Sequence, residues 1–270
     1  MNTLYQQLAG ETLNDALARL EAGIKARPAD ADLRAAFVQF LTLSGNWPRV
    51  LTQLKSWLAL KPQAKPTVTL LEQAIQGELQ RAQVMAGQAR PAMPETQWPW
   101  LTTLAAALNE EGERAQALRL EALEQAQATA GHIILENEET QAFDWLMDGD
   151  ARLGPVCETL VNGRYFWLPF NAIAEIRFQA PASVTDLVWR HALVRLTDGT
   201  EQVCQIPARY PFAADAPDAV KLGRTTEWHP LDESGTLYEG LGQKAWLSEQ
   251  SESPLLSLSL VTFATDGADE

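Results

Sequence analysis

The sequence predicts an α+β protein with an all-helical N-terminal half and a β-rich C-terminal half. Three observations support this prediction. From Thr12 to about Ala130, Ala, Leu, Gln and Glu dominate, interrupted at intervals by Gly, Pro and Asn, which is typical of short helices. Prolines recur at a fixed distance within that half. After about Glu136, apolar and polar residues alternate as in strands.

The first helix is predicted over residues 12–26, where apolar residues recur at spacings of three and four before Pro28 stops the helix. A second unit has two apolar stripes, separated by a turn at residues 44–46, and ends at Pro62. The distance of 34 residues between the two prolines equals the period of the tetratricopeptide repeat, in which helical hairpins stack. Arg34 stands where that repeat favours Trp, so the sequence predicts degenerate, tetratricopeptide-like helical hairpins.

The helical pattern continues to about residue 130. An additional helix is expected over residues 68–84, followed by a connection over residues 85–100, whose prolines forbid a continuous helix. A third helical hairpin follows. The apolar stripe of its second helix is expected to consist of Ala117, Leu118, Leu120 and Leu123.

Two hairpins and a final strand are predicted in the second half. Residues 157–168 surround Asn162-Gly163, and residues 191–206 surround Asp198-Gly199, two dipeptides that accept the positive φ of tight hairpin turns. Near the end, Leu256, Leu258 and Leu260 alternate with serines. The predicted organisation is a tetratricopeptide-like helical domain over residues 1–135, a β-rich α+β domain over residues 136–265 and a flexible acidic tail over residues 266–270.

Charge is distributed unevenly along the chain. Residues 1–136 have a net charge of −2, whereas residues 137–270 have a net charge of −12. Such an acidic half repels phosphate backbones and anionic lipids, which argues against nucleic-acid and membrane partners. The N-terminus lacks the pattern of a secretory signal, so a cytoplasmic location is expected. Cys157 and Cys204 are expected to be buried free thiols.

Residues that could support catalysis are sparse. The three histidines, His132, His191 and His229, are spread over different elements, and no GxSxG sequence accompanies them. Metal-binding HExxH or CxxC pairs and phosphate-binding glycine loops are also absent from the sequence. The sequence therefore predicts a non-enzymatic protein without a cofactor or a metal.

Several short motifs occur in a fixed order between residues 150 and 247: DARLGPVCETLVNGRYFWLPF, IAEIRF, DLVWR, ARYPF, LGRTTEWH and GLGQKAWL. Together they resemble the ImpE family, also called TagJ or SciE, accessory proteins of bacterial type VI secretion. The resemblance implies binding to the small subunit of the contractile sheath through an amphipathic helix at that subunit's N-terminus. It also implies a link to the AAA+ ATPase that disassembles contracted sheath, and no catalytic activity. Arg224, within LGRTTEWH, is expected to be buried against a carboxylate.

Partner-binding residues are predicted from the geometry of the repeat. In a tetratricopeptide array, the first helix of each hairpin lines a concave face, which can accept the apolar face of a partner helix. The residues expected on that face are Tyr5, Leu8, Ala35, Gln39, Thr42 and Leu43. The alternative for each of them is packing between helices of the chain itself.

Two other functions remain open at this point. The first is a general tetratricopeptide scaffold or co-chaperone outside secretion. Clamps of that kind for acidic C-termini usually display Lys, Arg and Asn, whereas the six candidate residues are uncharged. The second is an enzyme whose β-rich half holds a pocket lined by Trp167, Trp189, Trp228 and neighbouring acidic residues.

Overall fold

The computed structural model describes residues 10–233 and 235–264 and confirms the α+β class. The α-helices are α1 Leu13–Ala26, α2 Ala31–Leu43, α3 Trp47–Leu60, α4 Lys65–Met85, α5 Trp100–Ala106, α6 Gly112–Gln125 and α7 Asp218–Lys221. The strands are β1 Gly131–Leu135, β2 Thr140–Phe143, β3 Met147–Asp148, β4 Val156–Val161, β5 Arg164–Pro169, β6 Ile173–Phe178, β7 Trp189–Leu196, β8 Glu201–Pro207, β9 Thr226–Pro230, β10 Tyr238–Gly242, β11 Ala245–Leu247, β12 Glu252–Pro254 and β13 Leu258–Phe263.

The first three helices form successive antiparallel hairpins, as the repeat pattern predicted. Each begins at a residue whose side chain accepts a hydrogen bond from the backbone N–H three residues later: Thr12, Asp30 and Asn46. Gly45 has φ +70°, which allows the sharp turn between α2 and α3.

Helix α4 confirms the additional helix expected over residues 68–84 and connects the two halves of the molecule. It packs against β4 and β5 of the large sheet. A Cβ atom on Gly77 would lie 2.8 Å from Leu160 Cδ2, so the glycine permits a close approach of helix and strand. One long helix of the N-terminal half is thus docked on the sheet.

The third hairpin is present, but its second helix buries a different face from the one expected. Ala115 and Ala122 of α6 are fully buried, whereas Leu120 and Leu123 keep 40% and 37% of their surface exposed. The small alanine side chains allow α6 to approach α5 closely. The predicted leucine stripe is therefore directed to the surface.

The described strands form one large antiparallel sheet in the order β2-β1-β13-β6-β7-β8-β4-β5 and two small sheets. Both predicted hairpins are confirmed. Asn162 and Gly163 have φ +50° and +81°, and Gly199 has φ +84°. The sheet begins at Gly131, within the range predicted for the helical domain, because β1 pairs with β13 from the end of the chain.

The last strand is shorter than the leucine alternation predicted. Leu256 lies in a 3-10 turn, and β13 starts at Leu258. Ile134 pairs with Leu260 and Leu135 pairs with Leu258, so Ser259 is an additional residue in β13. This irregularity shifts the alternation and leaves Leu260 only half-buried.

The two halves share a continuous hydrophobic core that runs from Leu13 to Phe263. Trp167, Trp189 and Trp246 are its largest fully buried side chains. Cys157 and Cys204 are buried and free, as expected.

Candidate functional site

The six predicted partner-binding residues occupy different environments. Thr42 and Leu43, at the end of α2, are fully buried. Ala35 and Gln39, earlier in α2, are half-buried. Tyr5 and Leu8 lie outside the described residues. Of the four predicted residues that the structure describes, only Ala35 and Gln39 therefore have accessible surface.

The C-terminal half covers the end of α2. The Arg209 guanidinium donates hydrogen bonds to the carbonyl oxygens of Leu43, at 2.8 Å, and of Thr42, at 3.4 Å. The 3-10 turn Val184–Leu187 also packs against α2. In this conformation a partner cannot reach Thr42 or Leu43. The role of the six residues in partner binding stays a prediction.

Other apolar side chains of the helical half are accessible. Leu60 at the end of α3, together with Leu70 and Leu79 of α4, keeps 37% to 43% of its surface exposed. Apolar surface of this kind on stacked helices suits the apolar face of a partner helix. Leu120 and Leu123 on α6 add a second exposed pair.

A buried ionic network lies where α4 meets the sheet. Arg81 of α4 donates to both carboxylate oxygens of Glu158 in β4, at 2.7 and 2.9 Å. It also pairs with Glu78, at 3.4 Å, and donates to the carbonyl oxygen of Arg209, at 3.0 Å. The Arg81 side chain is only 4% exposed and that of Glu158 is fully buried.

The network continues away from α4 through Lys244. The Lys244 ammonium contacts Glu158, at 2.8 Å, and also pairs with Asp148. The hydroxyl of Tyr210 donates to Asp148, at 2.9 Å, and that of Tyr165 donates to Glu158. Buried charges of this kind persist only when each has a partner.

These contacts shift the pKa values of the buried carboxyls in opposite directions. Burial alone would raise the pKa of Glu158, but the charges of Arg81 and Lys244 outweigh it and hold that pKa well below its usual range. At Asp148, by contrast, burial outweighs the charge of Lys244 and raises the pKa of the carboxyl to about 6. The two carboxyls therefore differ in protonation under mildly acidic conditions.

Two buried tryptophans also belong to this network. The Trp167 indole donates to Tyr165 and the Trp189 indole donates to Glu78, at 2.7 and 3.0 Å. Both indoles are at most 1% exposed, so they do not line the accessible pocket that the enzyme hypothesis required. Trp228 is half-buried and packs against Tyr210.

The sequence contains a signal for this network. Four of its polar residues stand inside the motifs that carry the family resemblance: Glu158 and Tyr165 in the first, Tyr210 in ARYPF and Lys244 in GLGQKAWL. Arg224 was expected to be the buried arginine. The burial expected for Arg224 is wrong, because its side chain is exposed. The buried arginine that contacts both oxygens of a carboxylate is Arg81.

The β-rich half that contains most of this network is of the ImpE type: the family described as ImpE protein matches residues 140–262. The chain is 38% identical over 256 residues to the type VI secretion system accessory component TagJ of Pseudomonas aeruginosa, covering 93% of this chain and 87% of TagJ. The chain therefore belongs to the ImpE/TagJ family.

A solved structure has the same fold. The crystal structure of protein VPA1032 from Vibrio parahaemolyticus matches with a TM-score of 0.83 and 27% sequence identity, over 96% of both chains. The match extends over both halves of the chain. None of the helices in the described ranges combines the length and the apolarity that crossing a membrane requires.

Proposed function

We propose that this chain is a cytoplasmic, non-enzymatic accessory protein of a bacterial type VI secretion system. It binds the N-terminal amphipathic helix of the small sheath subunit and connects it to the AAA+ ATPase that disassembles contracted sheath. The observation that carries the proposal is the 38% identity to TagJ over 93% of the chain. TagJ is an accessory component of that system, which fits a role without catalysis.

The geometry of the helical half supports the binding mode. Stacked hairpins present half-buried Ala35 and Gln39 on α2 and exposed leucines on α3 and α4. A partner helix binds such a surface through apolar residues spaced three and four apart. The net negative charge of the C-terminal half, in turn, disfavours nucleic acids and anionic lipids as partners there.

The proposal is tested with a fluorescent peptide that copies the N-terminal helix of the cognate small sheath subunit. Fluorescence anisotropy with the full-length chain should give a dissociation constant in the micromolar range or tighter. Leu8→Glu and Gln39→Glu should each weaken binding about tenfold, because each places a charge against an apolar helix face. Gln125→Glu is the matched control, since Gln125 is exposed at the end of α6.

The outcomes distinguish an error in the predicted contact residues from an error in the proposed function. If both substitutions leave the affinity unchanged while the peptide still binds, the predicted contact residues are wrong. If the full-length chain binds neither this peptide nor the assembled sheath, the proposed function is wrong.

The link to the ATPase is tested by adding purified ATPase to the complex of the chain with the sheath subunit. The three proteins should elute together as a ternary complex in gel filtration.

A further inference from the structure

A groove separate from the proposed helix-binding surface lies between the proline-rich connection and the edge strand β5. Its volume is about 620 Å³, which is within the range of ligand-binding pockets. Met93 and Trp98 of the connection form one wall, and Phe166 and Leu168 of β5 form the opposite wall. The groove thus offers an apolar and partly aromatic interior.

The connection is held in place as a rigid wall. Ala92 pairs in parallel with Phe166: its N–H donates to the carbonyl of Tyr165, at 3.3 Å, and its own carbonyl accepts from the N–H of Trp167, at 2.9 Å. Pro91 and Pro94 restrict the backbone on either side. A preformed wall lowers the entropic cost of binding a ligand.

Two arginines contribute positive charge to the groove and to a cavity beside it. Arg90 and Arg164 line it and also line an adjoining cavity of about 310 Å³, which has no acidic residue in its lining. Arg164 is exposed, lies 5.0 Å above the centre of the Phe166 ring and makes no ion pair within the described ranges. Arg90 pairs with Glu95 at 3.2 Å, but both side chains are about half exposed, so the pair opens at little cost.

Two acidic side chains also line the groove: Glu95, which pairs with Arg90, and Asp198. Neither of them lines the adjoining cavity, so the two arginines meet no acidic residue in its lining. In a chain of net charge −14, the adjoining cavity with its two arginines selects carboxylates, which arginine binds through paired hydrogen bonds. The apolar walls select a large apolar side chain.

We propose that this groove binds a peptide segment of a partner protein in which a leucine or an aromatic residue stands next to acidic residues. The apolar side chain enters between Trp98 and Phe166, and the carboxylates contact Arg90 and Arg164. This surface is distinct from Ala35 and Gln39 of α2. It gives the chain a second binding site, as an adaptor that holds two partners requires.

The test uses three fluorescent synthetic peptides of equal length with the full-length chain. The first alternates Glu with Leu and Phe, the second replaces each Glu by Lys, and the third replaces each Leu and Phe by Ser. Fluorescence anisotropy should show binding of the first peptide and binding about tenfold weaker, or none, for the other two. Raising the salt concentration should weaken the first interaction.

Two variants locate the binding site. Arg164→Glu should weaken binding of the acidic apolar peptide about tenfold, because it reverses a positive charge that lines the groove. Trp98→Ala should weaken it by removing the apolar wall. Arg114→Glu is the matched control: Arg114 is exposed on α6 and paired with Glu110 at 3.1 Å, as Arg90 is with Glu95. Circular dichroism checks that each variant is folded, and Arg164→Glu is the decisive one because Arg164 is exposed.

Several results would overturn the proposal. It is wrong if the acidic apolar peptide does not bind at about 1 mM, if the lysine peptide binds equally well, or if Arg164→Glu leaves the affinity unchanged. If deleting residues 265–270 strengthens peptide binding severalfold, the chain's own acidic tail occupies the groove. If Arg164→Glu abolishes self-association measured by light scattering, a second copy occupies it. Either result replaces the proposed partner.

Discussion

Arg81 of α4 and Glu158 of β4 form a bidentate ion pair, at 2.7 and 2.9 Å, across the boundary between the helices and the sheet. Lys244 contacts the same carboxylate at 2.8 Å. Three buried charges from three separate parts of the chain therefore depend on one another. Their geometry restricts how α4 can lie on the sheet, because any other placement leaves a buried charge without a partner.

Removing one member of this network should destabilise the protein strongly. Arg81→Ala leaves the Glu158 carboxylate buried with half its partners, and we expect a loss of about 3–5 kcal/mol in the free energy of unfolding. Arg19→Ala is the matched control, because Arg19 pairs with Glu11 at 3.0 Å on the surface. It should cost less than about 1 kcal/mol. Urea denaturation measures the free energy of unfolding of both variants. Equal losses of stability would show that the ion pair of Arg81 is not desolvated.

The carboxyl of Asp148 should have an unusually high pKa. Because burial raises its pKa to about 6, carboxyl carbon NMR should give a midpoint near that value. Lys244→Met should raise the pKa further, since Lys244 favours the ionised form. Asp198 is the control: backbone and side-chain hydrogen bonds from Thr200 lower its pKa, and its titration should be the same in both proteins. A midpoint near 4 for Asp148 would contradict the burial.

Asp148 and Glu158 should affect the pH dependence of stability with opposite signs. The raised pKa of Asp148 means that its contribution is full below about pH 4 and is lost as the pH rises to about 6. The lowered pKa of Glu158 means that its contribution is present above its ordinary value, near 4.5, and is lost as the pH falls below it. Urea midpoints are measured from pH 3 to 7 for the native chain and for Asp148→Asn. The two curves of midpoint against pH should differ in slope mainly between about pH 4 and 6. Parallel curves would refute this.

Leu43 should respond to mutation as a core residue. Because its side chain is fully buried, Leu43→Ala should cost about 2–5 kcal/mol of stability. Leu60→Ala is the matched control, since Leu60 is 37% exposed, and it should cost less than about 1 kcal/mol. Thermal unfolding distinguishes the two. A small effect at Leu43 would mean that the end of α2 separates readily from the C-terminal half and becomes accessible to a partner.

The two thiols should be unreactive in the folded protein. Burial raises the pKa of Cys204 to about 12 and that of Cys157 well above its usual value, which suppresses the reactive thiolate. A colorimetric disulfide reagent at pH 8 should modify neither thiol on the timescale on which it modifies both in urea. Rapid modification of the native chain would indicate local opening around β4 and β8.

Local structure was largely predictable from the sequence. Asn162-Gly163 specified a hairpin because only residues tolerant of positive φ suit that turn, and the structure has φ of +50° and +81° there. Pro28 and Pro62 bounded helices because proline cannot continue the backbone hydrogen bonding. The motifs between residues 150 and 247 identified the family, which the relation to TagJ confirms.

The sequence by itself thus determined the class of the fold, the order of the helices in the N-terminal half, two hairpins of the sheet and the family, because turn geometry and apolar periodicity act over a few neighbouring residues. The tertiary structure alone decided that Thr42 and Leu43 are covered and that Leu120 is exposed. It also brought Arg81 to Glu158 and placed the segment around Ala92 along β5. These arrangements join residues more than 70 positions apart, and the periodicity of one helix does not reveal which of its faces a distant strand will cover.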